Sequence, residues 1–319
     1  MILALLAACD SDLPATDDTA AVDLRLTDAD YPSPAANEEV WFGPEVTIAP
    51  GADEMWCVVG TYTGPDVGIH TQVTYQNAFG HHLVLMGMTS SPLDHPDGEV
   101  FECTTSDQYS MTDLEPLVLA TSGYVGGTQL ENEITMPEGM AVKLDSGQRY
   151  LIQAHYLNTG TEPFVARDAL LMDYLDPDTE VDVWAAPFVL NKDDFSLPPG
   201  EATTASFDCE AEADWNALYL NAHMHEWGRS FTLERVLEDG NEPILDIPEW
   251  DPYFRDAPPT NYYEPGEFWI HQGDVLRTTC NWFNDTDAVI EFPHEMCDSV
   301  GLVYPQLTPV ICNGGGASE

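Results

Sequence analysis

The feature that most constrains this chain is how briefly its apolar runs last. From residue 39 onward they are short and cut by Gly, Pro, Asn or Asp, as in Val40–Phe42, Val46–Ile48, Met55–Val59, His82–Met86, Tyr150–Tyr156, Leu218–Ala222, Ser230–Val236 and Val275–Phe283. Apolar residues spaced i, i+3, i+4, i+7 are scarce, so amphipathic helices are not expected. No run approaches the roughly 20 residues that a membrane-spanning helix needs. The pattern predicts an all-β fold, a sandwich or jelly roll.

The pattern also repeats. Val46-Thr-Ile-Ala-Pro-Gly51, followed by Cys57, is echoed by Phe195-Ser-Leu-Pro-Pro-Gly200, followed by Cys209. Gly147-Gln-Arg-Tyr-Leu-Ile-Gln-Ala-His-Tyr-Leu-Asn158 aligns without a gap on Gly273-Asp-Val-Leu-Arg-Thr-Thr-Cys-Asn-Trp-Phe-Asn284. Two tandem antiparallel β-sandwich (jelly-roll) domains from one ancestral unit account for this, over residues 39–186 and 187–319, with the boundary near Ala185–Asp194.

Charge narrows the partners. The 319 residues carry 9 Lys+Arg against 56 Asp+Glu, a formal charge of −47. Nucleic acid is excluded as an electrostatic partner, since phosphate binding needs a basic face. Anionic lipid is disfavoured for the same reason. Dense carboxylate suits a solvated, highly soluble surface, and also salty surroundings that screen self-repulsion.

The opening Met1-Ile-Leu-Ala-Leu-Leu-Ala-Ala-Cys9 resembles the lipobox of bacterial lipoproteins, which makes residues 1–9 a signal segment and Cys9 the lipidated residue. No basic n-region precedes it, which places the true start upstream of Met1. Residues 10–38, rich in Asp, Ala, Thr, Ser and Pro, read as a disordered acidic tether. Six cysteines remain, Cys57, Cys103, Cys209, Cys280, Cys297 and Cys312. An even number in an exported chain points to disulfides, with 15 pairings open. The absence of CxxC argues against a zinc ribbon or thioredoxin motif.

The histidines are the most informative side chains. His223 and His225 form an H-x-H in a strand-like run, where alternation sets both imidazoles on one face, within reach of one metal. His81 and His82 are adjacent, so joint ligation requires a strand end, a bulge, or Nδ1 from one ring and Nε2 from the other. His155 lies in an apolar run, where a lone histidine is ordinarily a hydrogen-bonded core residue.

Together, Gly80-His81-His82-x-x-Leu85-Met86-Gly87, Gln153-x-His155-Tyr156, His223-x-His225 and Glu295-Met296-Cys297 occur in the order found in the copper type II, ascorbate-dependent monooxygenases, the family of peptidylglycine α-hydroxylating and dopamine β-monooxygenases. The resemblance spans roughly residues 40–312. It implies two coppers per chain, an electron-supplying one on His81, His82 and His155 in the first domain and an oxygen-activating one on His223, His225 and Met296 in the second. It also implies the disulfides Cys57–Cys103, Cys209–Cys312 and Cys280–Cys297. The donor chemistry agrees: a thioether favours Cu(I), whereas zinc sites rarely use methionine. His294 lies two positions from Met296 and is a competing ligand. His70, His95 and His271 are expected at the surface or in the core.

The substrate positions depart from the peptide-processing members, whose Arg two residues before H-x-H is replaced by Asn221. Their Asn and Tyr beyond the methionine are replaced by Asp298 and Val300. The expected activity is hydroxylation of a C–H bond in a small-molecule substrate other than a peptidylglycine, with O2 and a reductant such as ascorbate. The expected location is the bacterial envelope or the secreted fraction, with membrane contact only through a lipid anchor at Cys9. The rival readings are a non-catalytic copper-binding lipoprotein and, more remotely, a zinc enzyme.

Overall fold

The computed structural model describes residues 21–88, 96–103, 114–115, 120–122, 131–176, 178–255, 257–292 and 294–314. The chain is all-β, with a single 3-10 turn at Pro252–Arg255 among the described residues. The lipobox and Cys9 lie outside these residues, as does His95. Among the described residues, no helix is long and apolar enough to cross a membrane.

Each half packs two sheets face to face. In the first, Leu83, Leu85, Ile152, Ala154 and Tyr156 of a six-stranded sheet bury against Trp41, Ile69, Val142, Leu170 and Met172 of an eleven-stranded one. In the second, Phe207, Phe231, Leu233, Leu276 and Trp282 of a four-stranded sheet bury against Phe188, Leu190, Ala217, Leu220 and Val303. Alternation along each strand decides what is left outside. Leu83 and Leu85 point inward, which turns His82, Val84 and Met86 to the opposite face.

The sequence repeat is present in the strand register. Arg149–Leu157 runs between Asp53–Thr61 and Gly80–Met88, with Arg149 opposite Thr61 and Met88. Val275–Phe283 runs likewise between Ala202–Glu210 and Gly228–Val236, with Val275 opposite Glu210 and Val236. Even the irregularity recurs. Register slips after His155–His82, so that Tyr156 faces Gly80, and after Asn281–Ser230, so that Trp282 faces Gly228. Both glycines are required by close approach: a Cβ on Gly80 would meet Gln76 at 2.9 Å, and one on Gly228 would meet the Trp250 ring at 2.6 Å.

Asn158 and Asn284 are the matching braces. Each is fully buried. Asn158 Nδ2 donates to the carbonyls of Ile48 (3.1 Å) and Glu162 (3.0 Å), and Asn284 Nδ2 to those of Leu197 and Ala288 (both 2.7 Å). Their Oδ1 atoms accept the N–H groups of Gly160 and Thr286.

Three features differ from expectation. The boundary near residues 186–187 falls inside a strand, Val183–Asn191, that belongs to both halves. Residues 183–185 pair with 140–142, and residues 186–191 pair with 298–303. The sheets are mainly antiparallel, yet this strand also makes parallel pairs with Met140–Val142 and Val310–Asn313. Part of the stretch read as a disordered tether, residues 10–38, is ordered. Val22–Asp23 pairs with Phe164–Val165, and Leu26 and Tyr31 are buried beside Tyr75, because these two apolar residues punctuate an otherwise polar stretch.

The pairings Cys57–Cys103, Cys209–Cys312 and Cys280–Cys297 are all formed. Three disulfides set the folded chain in an oxidising, extracytoplasmic environment.

Replacing Asn158 or Asn284 by Ala leaves buried backbone groups without partners, each costing about 1–3 kcal/mol. The expected destabilisation is about 2–4 kcal/mol in either variant by urea unfolding, and values under about 1 kcal/mol would contradict the bracing role.

Candidate metal centres

The first cluster lies on the outer face of the six-stranded sheet. His155 and His82 are directly opposed across Arg149–Leu157 and Gly80–Met88. Their rings meet edge to face with centroids 4.9 Å apart. The slip in register between Tyr156–Gly80 and His155–His82 inserts His81 as an extra residue, a bulge of the kind expected as one route to ligation by neighbouring histidines. His155 is 2% exposed and bonds through Nε2 to Asp53 Oδ1. A proton on Nε2 puts the ring's lone pair on Nδ1, the tautomer set by a carboxylate partner. His82 Nε2 lies 3.4 Å from Gln153 Oε1.

The second cluster begins where the Trp215–Asn221 strand ends. Tyr219 faces Leu302, Leu220 faces Gly301, and His223 forms an isolated bridge with Asp298. Beyond that bridge, His225 and Met296 are tied through Glu295, whose Oε1 accepts both of their N–H groups. Met224 between the histidines is fully buried in the second core, so both imidazoles turn to the other face. The His225 ring donates from Nδ1 to the carbonyl of His294 at 2.8 Å, which bares Nε2. That nitrogen lies 3.2 Å from His223 Nε2, with the rings nearly perpendicular.

Glu295 holds this turn together. Its buried carboxylate accepts the N–H groups of His225 (2.5 Å) and Met296 (2.8 Å) on one oxygen and of Trp227 (3.1 Å) on the other. Sharing one acceptor brings the backbones of His225 and Met296 side by side. Burial pushes the Glu295 carboxyl up to about 7 despite these donors. Asp168 plays the same part in the first half. It accepts the N–H (3.0 Å) and Nδ2–H (2.8 Å) of Asn77, which precedes Gly80 by three residues as His225 precedes Gly228. Burial pushes its carboxyl up to about 6.

The structure thus brings together His82 with His155, and His223 with His225, and ties the Met296 backbone to His225 through Glu295. The bulge places the backbone of His81 beside the first pair. Among the described residues no group of three or more His, Cys, Asp or Glu side chains is gathered for a metal. The third donor expected in the second cluster is a thioether, outside that set. Two nitrogens 3.2 Å apart suit donors about 2.0–2.1 Å from one ion at a near-tetrahedral angle, and a thioether from Met296 would add a soft donor that suits copper. His294 contributes its carbonyl, with its side chain exposed. His70 bonds to Thr71, and exposed His271 stacks on Trp269.

Sequence reasoning missed Asp53, Arg255 and Glu226. Arg255 Nη1 bonds Glu226 Oε1 at 2.6 Å, and its Nη2 lies 3.9 Å from Asp53 Oδ2. A carboxylate carries little signal in a chain so rich in them; the scarce arginine was the better clue.

No family model matches the chain, and no curated protein does. Among solved structures it is similar to PNGase F, a glycosylasparaginase from Flavobacterium meningosepticum, at 14% identity and a TM-score of 0.38, over 86% of this chain and 97% of that one. It is also similar to an archaeal virus protein with a triple jelly roll, at 9% identity and a TM-score of 0.24, over 85% of this chain and 61% of that one. Likeness at this level says nothing of activity.

The raised Asp168 carboxyl makes stability pH-dependent. The folded state holds its proton more tightly than the unfolded chain, so its contribution is full below about pH 4 and is lost as pH rises towards about 6. A two-unit shift corresponds to about 3 kcal/mol. Asp168→Asn should flatten the fall in unfolding free energy over that window, measured by urea titration at several pH values. An unchanged slope would exclude Asp168 as its source.

Proposed function

We propose that this chain is a copper-dependent monooxygenase of the oxidising, extracytoplasmic compartment, held at the membrane by a lipid on Cys9. His81, His82 and His155 would hold one copper, and His223, His225 and Met296 the other. The observation that carries the reading is the convergence of the His223 and His225 Nε2 atoms, with the Met296 backbone tied to His225 through Glu295. When bound, copper supplies one-electron redox chemistry and O2 activation. The net reaction consumes a C–H substrate, O2, two electrons and two protons, and yields the alcohol and water, with ascorbate or a similar reductant as electron donor.

The protein's own part is positional. Glu295 and the Asp298 bridge hold the H-x-H turn against Met296, and the Cys280–Cys297 disulfide pins the residue after Met296 to Val275–Phe283. Beside the second cluster a cavity of about 510 Å3 opens between the halves, lined by Glu133, Met136, Tyr219, Asn221, Tyr263 and Glu264 among others. Tyr219 and Asn221 share the strand face that continues to His223. Among the described residues no Lys, Arg or His lines the cavity, so they offer no counter-charge to a carboxylate-ended substrate such as a peptidylglycine. An apolar body, neutral or cationic, suits it better.

Metal analysis of the folded, disulfide-bonded protein should return about two coppers per chain. Met296→Ile roughly conserves apolar volume, so the fold should persist. Cu(I) affinity at the second cluster should fall by at least about tenfold, the loss seen even for outer-sphere partners, and ascorbate-dependent hydroxylation should fall with it. Unaltered Cu(I) affinity would remove Met296 from the site. Two coppers with no ascorbate-dependent O2 uptake on any substrate would favour a non-catalytic copper-binding protein. Zinc in place of copper would favour the hydrolytic class.

A further inference from the structure

Arg255 is the cation that meets both clusters. It ends the Pro252–Arg255 turn, whose Phe254 packs edge-on against Trp250 at 5.4 Å. Trp250 in turn donates from Nε1 to the carbonyl of His225 at 3.0 Å. The guanidinium is bonded to Glu226, the residue after His225, at 2.6 Å. Two independent contacts therefore fix Arg255 to the second cluster. Its other nitrogen reaches across to Asp53 Oδ2 in the first half, at 3.9 Å, and the Arg255 side chain is only 16% exposed. Asp53 is the carboxylate that accepts His155 Nε2.

The charges act in sequence. A carboxylate on the far nitrogen of an imidazole raises the donor strength of the near one. A guanidinium on the other oxygen of that carboxylate draws its charge away and lowers that strength. Glu226 in turn limits how much of the guanidinium charge Asp53 receives. We propose that Arg255 is a positioning residue that couples the two histidine clusters, setting through Asp53 how strongly His155 favours Cu(II) over Cu(I), at a level governed by its anchorage to Glu226 beside His225. This rests on the copper reading of the two clusters.

The test uses copper alone as the probe, with chelator competition giving Cu(I) and Cu(II) dissociation constants at the first cluster of the full chain. Arg255→Gln restores the full charge of Asp53, so preference for Cu(II) should rise about fivefold, which at 59 mV per tenfold is a potential about 40 mV lower. Arg255→Lys, which keeps the charge, should lie close to wild type. Glu226→Gln releases the guanidinium towards Asp53 and should shift the preference the opposite way. In an Asp53→Asn background, Arg255→Gln should have no further effect. Opposite signs that vanish with Asp53 support the coupling, since mere loosening of the structure would shift both variants alike. If Arg255→Gln does not fold, the Glu226→Gln and Asp53→Asn pair carries the same comparison. Bound copper with an unmoved Cu(I)/Cu(II) ratio, or with shifts of one sign, overturns the coupling and leaves the metal sites standing. A wild-type chain that takes up no copper overturns both.

Discussion

Everything in this molecule hangs on one strand. Val183–Asn191 spends its first residues hydrogen-bonded to the first half and its last ones to the second. A strand buried on both sides has no slack, because shifting it by one residue would turn every side chain to the wrong face. The halves are therefore not beads on a linker. Tyr219 and Leu302 of the second half lie in the first half's core, and their shared face leads on to His223. The inter-half geometry that lets Arg255 reach Asp53 follows from this continuity.

Within that frame, the two halves show how one β unit diverges. Where the first half has His82 opposite His155, the second has Ser230 opposite Asn281, joined by a hydrogen bond of 2.9 Å. The metal-binding residue types thus occupy different positions of the same scaffold. The scaffold's own parts persist: the slipped register, the glycine beneath it, the buried asparagine and the carboxylate that accepts an N–H three residues before that glycine. Retained parts are those whose loss leaves buried backbone groups unpaired. Positions on the outer face carry no such penalty and are free to change chemistry.

Much of this was legible in sequence. Short apolar runs cut by turn residues announced the strands, and the ungapped match of residues 147–158 to 273–284 announced the repeated register. The H-x-H and His-His pairs pointed to the paired imidazoles, and of the arrangements open to His81-His82 the strand pairing has the bulge. The shared strand was not legible, because Val183–Asn191 reads the same whether it has one set of partners or two. Leu26 and Tyr31 were lost in a polar stretch whose average composition looks unfolded. Asp53, Glu226 and Arg255 meet across 29 to 202 positions of chain; only folding makes neighbours of them. Glu295 was visible beside Met296, but nothing in an acid-rich sequence distinguishes a carboxylate that gathers three N–H groups from one that merely faces water.

The disulfide next to Met296 has a chemical consequence of its own. A disulfide beside a functional site is open to any thiol that can reach its sulfur atoms. Thiol–disulfide exchange proceeds by direct attack on sulfur and so depends on access. Cys57, Cys280 and Cys297 are fully buried, with Cys103 nearly so. The bridges beside the two histidine clusters are thereby withdrawn from solvent, and a thiol in solution meets Cys209–Cys312, whose Cys209 is 7% exposed, before it meets them.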